Sequence, residues 1–155
     1  MSVPNMKKAG AAGFTLVELM VVVVIVGLLA SIAYPSYKNS VVRGNRSAVQ
    51  GDLEAAAAAM ARFRSQNFTY SGATLGTGGV FRSTSPESGT VVYNLSFATG
   101  ATNTTAGTYT IIATPVSGKQ QAGDGALAIN QDGARCWNKA SDASCTPGDA
   151  AQRWK

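Results

Sequence analysis

The chain has 155 residues, room for one domain beside any segment that lies outside a core. It contains two cysteines and no histidine, which removes a Ser-His-Asp arrangement and an ordinary zinc site. Its net charge of +5 is concentrated at Lys7, Lys8 and residues 38–64, whereas beyond residue 64 six cations face five carboxylates, so the C-terminal half is nearly neutral.

Residues 14–34 read FTLVELMVVVVIVGLLASIAY, 21 residues with a single charge at Glu18. As a helix rising about 1.5 Å per residue this stretch is about 31 Å long, the thickness of a bilayer's hydrocarbon core. Positive residues before such a segment hold that end in the cytoplasm. A buried core helix is disfavoured, because no other segment of the chain could surround it. A secretory signal cut after Ser31-Ile32-Ala33 is disfavoured by Glu18, whose carboxylate inside the apolar run costs on the order of 3 kcal/mol on insertion scales. A membrane helix that remains on the mature chain is the reading left.

Helical spacing continues beyond Pro35. Tyr37, Val41, Val49, Leu53, Met60 and Phe63 recur mostly at three-, four- or eight-residue intervals, and Ala55 to Ala59 are strong helix formers. Residues 35–65 are therefore expected to form an amphipathic half that lies along a domain, completing one helix over residues 14–65. A Gly/Ser/Thr-rich connection, residues 66–89, follows, with Phe68, Tyr70 and Phe81 expected to pin it down.

Alternating apolar positions then predict strands at 91–97, 109–113, 126–130 and 134–137, within a sheet region of residues 90–138. Asp132-Gly133 favours a tight hairpin turn between the last two. Cys136 and Cys145 enclose eight residues, and a disulfide in an oxidising compartment is favoured over free thiols. The predicted class is α+β: one long helix on a four-stranded antiparallel sheet with a C-terminal disulfide loop, residues 136–145. No histidine general base, paired acidic spacing, C-x-x-C pair or phosphate-binding glycine loop occurs, so neither catalysis nor a cofactor is expected.

The leader MSVPNMKKAGAAG ends in Gly13, directly before Phe14-Thr15-Leu16-Val17-Glu18. This arrangement resembles the type III signal of type IV prepilins. The resemblance implies the type IV pilin fold, with residues 1–13 removed by prepilin peptidase between Gly13 and Phe14 and the new N-terminus at Phe14 methylated. Residues 14–34 would first span the inner membrane and then pack in the filament core, carrying residues 66–155 as the head. That head would lie in the periplasm before assembly and on an extracellular pilus afterwards. Pro35 stands where many pilins carry a helix-kinking proline. Glu18 would set register and recruit the subunit, since a carboxylate in an apolar bundle favours the one position that gives it a partner. The implied partners are the peptidase, the assembly platform and other major and minor pilins.

The stretch YTIIATPVSGKQQAGDGALAINQDGARCW resembles the C-terminal part of PilE-like minor pilins, and a minor pilin serving twitching motility, adhesion or DNA uptake is the leading expectation. Alternatives are a major pilin, a type II secretion pseudopilin and a ComP-like competence pilin that binds DNA. For the last, Arg135, Lys139, Arg153, Trp154 and Lys155 are the candidate DNA or partner contacts. DNA is not favoured, because the nearly neutral head argues against strong binding.

Overall fold

A computed structural model describes residues 13–100, 102–103 and 105–154. Lys155, and the expected leader apart from Gly13, lie outside the described residues. Helix α1 runs Leu16–Asn67, 52 residues, and continues through Pro35. Thr15 caps its start: the backbone N–H of Glu18 donates to Thr15 Oγ1 at 3.2 Å.

The chain divides after Asn39 into two compact units. In the first, the apolar side chains of α1 are exposed around the whole helix, from Leu16 to Ile32. Among the described residues α1 is the one helix long and apolar enough to cross a membrane. Tyr37 belongs to this unit and is exposed, so the amphipathic stripe expected to begin there is buried only from Val49 onward.

In the second unit α1 covers an antiparallel sheet whose strands lie in chain order: β1 (Thr84–Ser85), β2 (Tyr93–Phe97), β3 (Thr110–Pro115), β4 (Ala126–Asn130) and β5 (Arg135–Asn138). The sheet has five strands where four were predicted. The extra strand, β1, pairs Thr84 with Asn94 and Ser85 with Tyr93. Two polar residues ending at Pro86 are too short for a visible alternation, and proline cannot extend a ladder. The Asp132-Gly133 turn forms as expected, with Gly133 at φ 73° and Asn130 N–H donating to Ala134 O at 3.1 Å.

Val49, Leu53, Ala56 and Met60 of α1 pack against Tyr93, Leu95, Phe97, Ile111 and Leu127 in one core. Each fully buried aliphatic side chain contributes about 1.5–3 kcal/mol. Strand β4 is buried on both faces, because Ala126 and Ala128 meet Cys136, Cys145 and Ile112 on the side away from α1. The disulfide Cys136–Cys145 closes that second, smaller cluster, with its Cα atoms 5.9 Å apart.

Tyr70 is buried edge-on to Tyr109 (4.9 Å between centroids) and Phe81 is half-buried, so both pin the connection. Phe68 does not. It ends α1 in the left-handed region at φ 59° and is 90% exposed.

Candidate functional site

Three regions carry polar chemistry. At the start of α1, Thr15 and Glu18 have the S/T-x-x-E spacing of a capping box, and the first turn of a helix favours a carboxylate. That cap is a local role the sequence reading missed, although the spacing signals it. Phe14, Glu18, Leu19 and Val22 line one strip of the helix surface, which puts Glu18 on the side that carries Phe14.

The second region joins helix to sheet within the larger unit. Asp124, in the β3–β4 connection, is met bidentately by Arg46: Nε donates at 2.9 Å and Nη2 makes the second contact. Tyr93 Oη donates to the same carboxylate at 2.8 Å and Gln121 Nε2 at 2.7 Å. Gln121, fully buried, also donates to Val42 O at 3.1 Å and accepts from Asn45 Nδ2 at 3.2 Å. Trp137 Nε1 donates to Asp124 O at 2.8 Å, and the Arg46 guanidinium lies 3.9 Å above the Trp137 ring. Burial pushes the Asp124 carboxyl up, but the bonds from Arg46, Tyr93 and Gln121 outweigh it and hold it below the ordinary carboxylate range. Hydrogen bonding to Asp124 raises Arg46 in turn, while burial first, and then the Asp124 bond, raises Tyr93. No periodicity marks Gln121 and Asp124, two polar residues in a glycine-containing loop, so their burial was not legible in the sequence.

The third region is the C-terminal corner. Asp149 caps a short 3₁₀ helix, Ala150–Gln152, by accepting from Ala151 N–H at 2.9 Å. Lys139 and Arg153 line one groove together with Trp137 and Ala140. Arg135 is paired with Glu54 at 2.9 Å and lies 5.1 Å from the Trp154 ring centroid. Trp154 folds back, its Nε1 donating to Cys136 O. The structure thus brings Lys139 and Arg153 together, and separately Arg135 and Trp154.

Among the described residues, four ion pairs join carboxylates to arginines within the larger unit. Asp124 pairs with Arg46, Asp52 and Glu87 pair with Arg82, and Glu54 pairs with Arg135. Asp142 accepts from the backbone N–H groups of Gly123 and Gly125. Lys119, Lys139 and Arg153 make no ion pair among the described residues.

An apolar stretch of α1, a helix-on-sheet unit and a C-terminal disulfide are the parts of a pilin-like chain, and residues 8–34 match the prokaryotic N-terminal methylation motif. Residues 35–128 match the family described as type IV minor pilin ComP, DNA uptake sequence receptor, and the chain belongs to that family. It is a structural subunit rather than an enzyme. Among curated relatives it is 38% identical over 65 residues to type II secretion system core protein G of Pseudomonas aeruginosa, covering 42% of this chain and 46% of that one. It is 46% identical over 43 residues to the type IV major alpha-pilin of Moraxella bovis, covering 28% and 27%. The chain thus spans less than half the length of these relatives. The non-core minor pilin PilV of Neisseria meningitidis superposes with TM-score 0.47 and 18% identity, over 70% of this chain and 96% of that one.

Proposed function

We propose that this chain is a minor subunit of a type IV pilus whose head meets DNA during uptake. The match of residues 35–128 to a minor-pilin family described as a DNA uptake sequence receptor carries this reading. Cleavage between Gly13 and Phe14 and methylation of Phe14 generate the mature chain, a step the methylation motif over residues 8–34 supports. The apolar part of α1 then holds the subunit in the inner membrane, head in the periplasm, until the assembly platform moves it among other pilins. Glu18 pairs with the amine at Phe14, its own or a neighbour's, and so sets the register in the filament core.

The DNA reading gains from the distribution of charge. The groove of Lys139 and Arg153 presents to a phosphate backbone two cations that make no ion pair among the described residues. Two measurements test the proposal. Mass spectrometry of sheared surface filaments should find an N-methylated Phe14 at low copy beside a more abundant pilin; a chain beginning near Tyr34 sinks the filament reading. Full chain in detergent should bind duplex DNA, and Lys139→Glu with Arg153→Glu should weaken it at least tenfold; unchanged affinity removes that groove as the contact.

A further inference from the structure

Phe68 breaks two rules at once. It holds a left-handed backbone, φ 59°, that bulky L-residues avoid, and its ring is 90% exposed. Its surroundings over-determine that pose. Phe68 N–H donates to Arg64 O at 2.7 Å, and Asn67 Nδ2 donates to Phe63 O at 2.9 Å, which closes the end of α1. The next turn is latched to the loop beyond β2: Tyr70 N–H donates to Ala106 O at 2.9 Å and Gly72 N–H to Asn103 O at 2.8 Å. Buried Asn103 in turn donates to Tyr70 O, Thr105 O and Thr108 O. An exposed aromatic on so rigid a mount loses little freedom when it engages a partner.

Charge indicates the partner. Arg62 and Arg64 are exposed and make no ion pair among the described residues, and Arg64 is positioned 4.9 Å above the Tyr70 ring. Residues 55–86 contain no carboxylate, and Asp132 lies close enough to act on Tyr109, the ring against Tyr70. A flat, exposed apolar ring just past a helix turn that carries Arg62 and Arg64 fits a ligand with both π-faces and negative charge, which describes an unstacked nucleotide better than an apolar protein pocket. We infer that Phe68 is a stacking platform for an unpaired base of DNA, with the Arg64 guanidinium on the adjoining phosphate. This site is separate from the Lys139–Arg153 groove and rests on the DNA reading proposed above.

Full chain in detergent, titrated by fluorescence anisotropy with a labelled twelve-nucleotide thymidine strand and a labelled duplex, tests it. Phe68→Ala should weaken single-strand binding about tenfold and leave duplex binding within about twofold, while Phe68→Trp keeps both. Phe68→Gly should raise the melting temperature by relieving the backbone and still lose single-strand affinity, a divergence that a structural role does not produce. Unchanged single-strand affinity in Phe68→Ala overturns the inference, and does so alone if Lys139→Glu with Arg153→Glu abolishes duplex binding. If the unaltered chain binds neither probe, the DNA reading falls as well. Loss of filament incorporation in Phe68→Ala with DNA affinity intact overturns it in favour of a contact between pilins.

Discussion

Arg46 and Asp124, 78 residues apart in sequence, form the bidentate pair that ties α1 to the β3–β4 connection, with Trp137 stacked on one side of the guanidinium. Tyr93, Gln121 and Asn45 satisfy the remaining polar atoms, so the cluster is a filled network rather than an isolated buried charge. It lies where α1 first packs on the sheet, one turn before Val49. That position makes it the lock that fixes helix register against the head.

Arg46→Ala should lower the unfolding free energy by about 3 kcal/mol, because it leaves Asp124 buried without its countercharge. Urea denaturation of the full chain in detergent checks the size; a loss below about 1 kcal/mol removes the network as a stabilising element.

The network also predicts acid sensitivity. Asp124 is held below the ordinary carboxylate pKa when folded, so the unfolded chain binds its proton first as pH falls. Its contribution is complete above about pH 4 and disappears as pH drops through the folded value. Asp124→Asn should flatten stability against pH in that window, and an unchanged slope would show that other carboxylates set it.

At alkaline pH the tyrosines act in the opposite sense. Burial first, and then Tyr70 and Asp132, push Tyr109 up to about 12. The folded chain keeps this proton after the unfolded chain has released it, so the contribution is full below about pH 10 and lost as pH rises toward 12. Tyr109→Phe should remove part of that decline in a melting series between those limits.

Glu18 stands in the first turn of α1, where a carboxylate is favoured, and has a proposed role between subunits. Gln at the same position keeps the capping-box chemistry but not the charge. Glu18→Gln should therefore be processed and inserted normally yet reach filaments at a small fraction of the usual level. Normal incorporation, counted by immunoblot of sheared filaments, would end the register argument.

Cys136→Ser opens a loop of sequence separation 9 that closes the smaller cluster on β4. The chain-entropy cost of that opening is about 2.7 kcal/mol. Calorimetry of oxidised parent and variant should show a clear fall in melting temperature, and equal melting would mean the bridge is dispensable.

Gly125 stands beside Asp124 at φ 98°, and a Cβ there would lie 2.3 Å from Asn138 O, a backbone atom that cannot swing away. Gly125→Ala should cost about 2–3 kcal/mol by pushing the β3–β4 connection off β5. Denaturant midpoints indistinguishable from the parent's would contradict this.

Several features could be read from the chain alone because each is a local pattern. The apolar run ending near Tyr34, the 3.6-residue stripe of Val49, Leu53 and Met60, the alternation through Tyr93, Leu95 and Phe97, and the Asp-Gly turn all follow from the geometry of one element. Burial by neighbours distant in sequence leaves no such pattern. Strand β1 is a pair of polar residues until β2 pairs with it, and Phe68 resembles its aromatic neighbours until the left-handed end of α1 turns it outward. Asp124, one acid among eight in the sequence, becomes the centre of the head only when folding carries Arg46, Tyr93 and Gln121 to it. Sequence periodicity determined which faces would be apolar, whereas tertiary contact decided which polar groups those faces would enclose, because a buried charge is tolerated only where distant partners converge on it.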